Sequence, residues 1–334
     1  MSSIVRITSG SYRNESIKGE VFTLVKGYQL GNKGGFVTVK NEGQFPGRPD
    51  QVRVNVDNQS MIEFVSGRDA VKVETPKETD EEAMDRIATR FGVLDEMSKA
   101  CIKGDIRAMI VTGPAGIGKS HGVSLQMEKA SLFDNLASKK PRFEIVKGAM
   151  SGIGLFAKLY KFSDAKNVLV FDDCDIWEDQ DAINVLKGAL DSGKTRRISW
   201  NKDSRILREE GIPNSFNFNG SIIFITNKTF DNKKASKMQP HLDALQSRCH
   251  FLDLTVDSER DKMLRIKQVH RDADGGLFAD YDFTQEQTDE IMSFIWDNHN
   301  KLREVSLRMC LKVADLVKIS ANWRELAKAT CMKG

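Results

Sequence analysis

The nine residues from Thr112 to Ser120 read TGPAGIGKS, and they restrict the fold more than any other stretch of the chain. Gly113-x4-Gly118-Lys119-Ser120 has the spacing GxxxxGK followed by Ser or Thr, a phosphate loop only where a strand enters it and a helix leaves it. The run RAMIVT (107–112) supplies the strand, and a helical stretch follows. Glycines let such a loop curl until its backbone N–H groups converge on phosphate oxygens, and the helix adds its positive end. The expected cradle is Gly113, Pro114, Ala115, Gly116, Ile117 and Gly118, with Lys119 reaching the β- and γ-phosphates and Ser120 on Mg²⁺. ATP and Mg²⁺ are the implied cofactors. A glycine-rich turn with no ligand is the plainer alternative.

The other half of such a site is an apolar strand that ends in an acid. NVLVFDD (167–173) fits, making Asp172 the candidate metal acid, against the simpler reading of a buried strand with acids at its tip. RFEIVK (142–147), SIIFIT (221–226) and CHFLDL (249–254) are further short apolar runs separated by helical stretches. The pattern predicts an α/β fold with a parallel five-stranded sheet. Beyond Leu254 only helical periodicity continues, which predicts a helical lid over 256–334 with Asp257 and Thr284 as N-caps.

Residues 1–73 contain short β-type runs between Gly, Asn, Pro and Asp clusters, as in a small antiparallel β-barrel. From SYRNESIKGEVFTLV to GGFVTVK they resemble SH3-like barrels, KOW-type domains among them, which implies an accessory domain for nucleic acid or for a protein partner. The charged stretch 74–82 reads as a linker, and 83–255 as the ATPase core. Thr79 is positioned to cap a helix whose apolar face carries Met84, Ile87, Phe91 and Leu94.

At 334 residues, 40% hydrophobic and 29% charged, the chain has the composition of a multidomain globular protein. It has no apolar run of membrane-spanning length and no signal-peptide pattern at its N-terminus, so the expectation is a cytoplasmic protein with no membrane partner. Five cysteines without a CxxC pair argue for neither a disulfide framework nor a zinc site. A net charge of +3 leaves nucleic-acid binding to local patches.

With these motifs in place, residues 80–320 resemble the AAA+ ATPases. The resemblance implies ATP hydrolysis at inter-subunit sites in a homo-oligomeric ring, such as a hexamer. It makes Asn227, at the tip of SIIFITN, the polar sensor that orients attacking water. Arg248, in an SRC triplet like that of clamp-loader subunits, becomes the finger reaching a neighbour's site. Arg308 in VSLRMCLKVADL becomes the lid arginine at the γ-phosphate, with Arg303 as the fallback. The chain departs from the family where Asp173 follows Asp172, since a Glu ordinarily stands there; either Asp173 is the base or Glu178 substitutes.

Two stretches are candidates for meeting the substrate. RRISW and SFNFN read as strands flanking a polar tip within 192–221. Arg196, Arg197, Lys202 and Arg205, with Lys194, Arg208 and the ring of Trp200, form a basic cluster suited to DNA or RNA, or else a solvated face. Met150 to Leu155 is the place where an unfoldase would present an apolar pore loop. The readings are a DNA-associated loader or remodeller of the kind used in phage replication or recombination, a protein-remodelling chaperone, and a nucleotide-gated scaffold. If the chain is phage-encoded, the compartment is the host cytoplasm.

Overall fold

The computed structural model describes residues 4–13, 15–31, 34–45, 48–65, 78–136, 140–174, 176, 179–227, 239–271 and 276–333. The chain divides into two compact units, Met1–Glu78 and Thr79–Gly334. Residues 74–77 of the expected linker lie outside the described residues.

The first unit contains β1 (Ile4–Ile7), β2 (Gly10–Tyr12), β3 (Glu15–Ile17), β4 (Glu20–Gly31), β5 (Gly34–Lys40), β6 (Gln51–Asn55) and β7 (Ile62–Val65). They pair antiparallel in the order β3-β2-β6-β5-β4-β1-β7. Alternation is clear in β6, where Val52 and Val54 are buried and Gln51, Arg53 and Asn55 are exposed. Ile17 on one edge strand and Ile62 on the other reach the same core as Phe22, Val37 and Val39, so the sheet curls over one interior. Among the described residues β3 and β7 remain edges. A half-barrel therefore stands where a closed barrel was expected.

The second unit opens with α1 (Asp80–Lys103). Thr79 and Glu82 form a reciprocal capping box at its start, and Gly104 ends it at φ 84°, a left-handed angle that glycine adopts freely. There follow β8 (Ala108–Thr112), α2 (Lys119–Leu136), β9 (Phe143–Lys147), α3 (Gly152–Lys161), β10 (Val168–Asp172) and α4 (Gln180–Ala189). Then come β11 (Arg197–Ser199), α5 (Arg205–Glu209), β12 (Ser215–Asn217), β13 (Ser221–Thr226), α6 (Gln239–Gln246) and β14 (His250–Asp253). The helical end is α7 (Glu259–His270), α8 (Gln285–Asn298), α9 (Leu307–Ile319) and α10 (Trp323–Cys331).

Five strands form a parallel sheet in the order β14-β8-β13-β10-β9. Because residues alternate across a strand, Ile110, Phe171 and Phe224 face α3 and α4 in one core, while Val111, Val170 and Ile225 face α1 and α2 in the other. With both faces covered, β8, β10 and β13 are buried at every position, which explains their unbroken apolar sequence. A third core, around Ile291, Phe294, Val313 and Trp323, holds the helical end together. Thr284 caps α8 as expected, but α7 is capped by Ser258 and not by Asp257. The Asp257 carboxyl is instead pushed to a higher pKa by burial and by the nearby Asp253 and Asp261.

Asp179 joins two helix starts. Its carboxylate accepts from the N–H groups of Asp181 at 2.8 Å and Ala182 at 3.1 Å, and from Gly152 N at the head of α3 at 2.9 Å. The bond from Ala182 is the main reason its pKa lies below the usual carboxylate range. Such a depressed acid stabilises the fold above its unfolded pKa, and the contribution disappears as pH falls through the folded value. Asp179→Ala should cost about 1–2 kcal/mol near neutrality in urea unfolding, with mutant and parent converging in acid.

Candidate functional site

The site is assembled at the C-terminal ends of three adjacent strands. β13 lies between β8 and β10, with Thr226 beside Thr112 and Ile225 beside Asp172, so the glycine-rich loop, the acids and Asn227 emerge together. In a parallel α/β sheet this is the end where ligands bind. The loop from Gly113 to Gly118 leaves β8 and passes into α2 with φ values of 147°, 72° and 101° at Gly113, Gly116 and Gly118. Side-chain-bearing residues rarely adopt such angles, which accounts for the glycines in the motif.

Lys119 is 5% exposed. Its ammonium donates to Gly113 O at 2.7 Å, Pro114 O at 2.7 Å and Asn227 Oδ1 at 2.6 Å. Burial lowers its pKa to about 8, opposed by the charges of Asp173 and Asp172 and reinforced by that of Arg308. Ser120 Oγ donates to Asp172 Oδ1 at 2.7 Å, while Lys147 Nζ lies 3.0 Å from Asp172 Oδ2. Asp173 takes a left-handed φ of 50° and accepts from Asn227 N at 3.2 Å and Asn227 Nδ2 at 2.8 Å. Lys119, Asn227 and Asp173 are thus one hydrogen-bonded run. The backbone also bears on the departure at Asp173, because Asp enters the left-handed region more readily than Glu. Glu178 lies outside the described residues.

The helical end closes on the loop from above. Ser306 caps α9, Leu307 N donates to Gly116 O at 2.8 Å, and a Cβ added at Gly116 would stand 2.7 Å from Ser306 Cβ. Arg308 is exposed beside this junction, close enough for its charge to act on Lys119. Arg303 is exposed with its backbone N–H on Cys331 O, while Arg308 Cγ stands 3.8 Å from where a Cβ on Gly116 would be. Gly116→Ala should cost about 1–2 kcal/mol from the left-handed angle alone and more from the collision. Adding Ser306→Gly should recover only the collision part, a difference that thermal melts of the single and double variants resolve.

Two residues at the site carry no sequence motif. Arg265 of α7 lies 3.4 Å from the Phe91 ring centroid and donates to Ile117 O at 3.4 Å, so it ties α1, the loop and the helical end together. Lys147 neutralises Asp172 from the next strand. Both depend on contacts between distant segments. Periodicity put Phe91 on a buried face, but nothing in the sequence marked Arg265.

Arg248 lies at the opposite end of the sheet, just before β14, with its Nη1 donating to Ala244 O at 2.6 Å. It is remote from the loop of its own chain.

The basic stretch differs from expectation. β11 and β12 do pair antiparallel, but α5 occupies the expected polar tip. Arg196 is buried, donating to Ala189 O and Gly220 O, and Trp200 is half-buried against Phe156, so neither is an open contact for a nucleic acid. Charged sequence neighbours conceal that both pack inward. Lys202 pairs with Asp181, Arg205 with Glu209 and Arg208 with Asp203; Arg197 is exposed with one bond to Ser215, and Lys194 is exposed. Of the expected pore loop, Ser151 is exposed and caps α3, Met150 and Ile153 are half-buried against the core, and Gly152 and Leu155 are buried.

These features define an α/β protein with a glycine-rich loop between β8 and α2. The chain is 38% identical over 262 residues, 78% of its own length, to an uncharacterised 36.7 kDa protein from the nrdC-mobD intergenic region of Enterobacteria phage T4, and spans 78% of that protein; it belongs to the same family. No family model matches it. Among solved structures, domain III of the Thermotoga maritima replication initiation protein DnaA aligns at a TM-score of 0.38 and 11% identity, over 78% of this chain and 93% of that one. Among the described residues no helix is long and apolar enough to cross a membrane.

Proposed function

We propose that the chain is an ATPase of the AAA+ kind, binding ATP with Mg²⁺ at the P-loop and hydrolysing it in homo-oligomers to remodel or load a DNA-associated complex. The observation that carries the reading is the bonded constellation of Ser120 with Asp172 and of Lys119 with Asn227 and Asp173. In the fit to ATP, the loop N–H groups and Lys119 would hold the phosphates. Ser120 and Asp172 are hard oxygen donors suited to Mg²⁺, which typically takes one or two protein ligands and completes its shell with phosphates and water. Bound Mg²⁺ would neutralise charge on the phosphates.

Asp173 is the residue we assign as general base. Asn227, held by Asp173 on one side and Lys119 on the other, sets the distance between that base and the phosphate site. Arg308 is the arginine assigned to the terminal phosphate in the same chain.

A DNA client fits better than a polypeptide client, because Lys194 and Arg197 stand exposed on the basic stretch and Met150 to Leu155 carries no aromatic side chain to grip a chain. The test is ATPase activity with and without single- or double-stranded DNA at two salt concentrations. Stimulation that weakens at higher salt is the expected result. Activity unmoved by DNA, together with no DNA binding, overturns the client, and loss of ATP binding in no P-loop variant overturns the nucleotide site.

A further inference from the structure

The Asp172 carboxylate is 6% exposed, and both of its oxygens are engaged: Ser120 Oγ donates to Oδ1 at 2.7 Å, and the Lys147 ammonium stands 3.0 Å from Oδ2. A buried carboxylate needs such compensation, because burial without a partner disfavours its charge. Half of it comes from outside the core. Lys147 is the last residue of β9, set beside Asp172 by the parallel register, and its side chain is 68% exposed. Gly148 follows at a left-handed φ of 88°, with open space where a Cβ would stand. The ammonium therefore reaches a buried acid on a stem that lies mostly in solvent, and it can leave that acid without unpacking the core.

The balance of charge around this acid bears on what else can bind there. Among the described residues, Lys119, Lys147 and Arg308 are brought to this place against Asp172 and Asp173. The cations outnumber the carboxylates, so the protein's own side chains have no net attraction for a divalent cation. Phosphates of ATP would reverse that balance. An ammonium and a metal ion at one carboxylate also repel each other, and the repulsion grows where water is excluded.

We propose that Lys147 is a counter-ion of Asp172 that competes with Mg²⁺, keeping the metal from the acid until ATP accompanies it and swinging off the acid when both enter. The proposal rests on the ATPase reading above and adds an order of binding to it. A purely structural pair explains less, because β9 and β10 are already joined in register along all of β9. An ion pair with a largely exposed lysine would fasten them little further.

The experiment uses the full chain, with wild type and Asp172→Asn first establishing whether ATP binding depends on Mg²⁺ through Asp172; if it does not, the metal site itself fails and the proposal with it. Chains without nucleotide are then titrated with Mn²⁺, the free ion being read by electron paramagnetic resonance. Wild type is expected to bind weakly. Lys147→Met keeps the length of the stem and removes its charge, and should bind about tenfold to a hundredfold more tightly. Lys147→Arg should stay near wild type, and adding Asp172→Asn to Lys147→Met should abolish the gain. Wild type also gives a reading that needs no variant at Lys147. Acetylation of the Lys147 amine, located by mass spectrometry, should rise severalfold when Mg²⁺ and ATP are added together and not with either alone. Mn²⁺ affinity unchanged or weakened in Lys147→Met would overturn the proposal while leaving the ATPase standing. Acetylation of Lys147 that Mg²⁺ and ATP together leave unchanged would overturn it as well.

Discussion

Lys119→Ala is expected to abolish ATP binding at working concentrations, weakening affinity by about a hundredfold to a thousandfold, while leaving the protein folded. The ammonium is buried and bonded to three oxygens, so it is held where a phosphate would sit. A bond between a charged donor and its acceptor contributes about 1.5–3 kcal/mol, and two phosphate contacts at the lower end of that range account for the predicted loss. Stability should change far less. Two of the partners that lose the ammonium are carbonyls of the loop itself, and burial disfavours the charge, as its lowered pKa near 8 records. Fluorescent-nucleotide titration beside a thermal melt reads both quantities; near-native affinity would remove Lys119 from the phosphate site.

The second large effect is expected at Asp173. Asp173→Asn should lower turnover by about a hundredfold or more with little change in ATP affinity, as loss of a general base does. Asn is the closest replacement because it also tolerates the left-handed angle at this position and keeps one oxygen to accept from Asn227, losing the second of the two bonds. Asp173→Glu gives the complementary result. The longer acid should cost about 1 kcal/mol of stability through the same backbone angle, and it displaces the carboxylate that Asn227 contacts. A single-turnover assay separates these outcomes from a binding defect. Unchanged turnover in Asp173→Asn would favour a nucleotide-gated scaffold whose slow hydrolysis needs no base here.

What was legible in the sequence follows the range over which each feature is encoded. The loop, Asp172 and Asn227 are written as short motifs at strand ends, and buried parallel strands announce themselves by unbroken apolar runs. Thr79 and Thr284 could be read as caps because a cap and its partner are three residues apart. Asp257 and Ser258 are adjacent and both able to cap, so the choice between them depended on where Asp257 was buried. The placement of β13 between β8 and β10, which brings Asn227 to Lys119, is a fact of topology that no local pattern contains. Arg265 and Lys147 acquire their surroundings only through that topology. Trp200 and Arg196 show the converse error, in which polar neighbours along the chain suggested a surface that packing against Phe156 and the carbonyls of Ala189 and Gly220 denies.

The bond from Leu307 N to Gly116 O gives α9 a mechanical meaning. This helix has 13 residues, about 20 Å of rod that starts against the glycine-rich loop, and its far end is Ile319, an apolar side chain 71% exposed. A tilt of about 10° at the pivot, too small to separate Ser306 from the loop, displaces that end by on the order of 3 Å. With the proposed nucleotide at that loop, such a tilt would make the rod a lever with its short arm at the phosphates and its long arm at Ile319 on the surface.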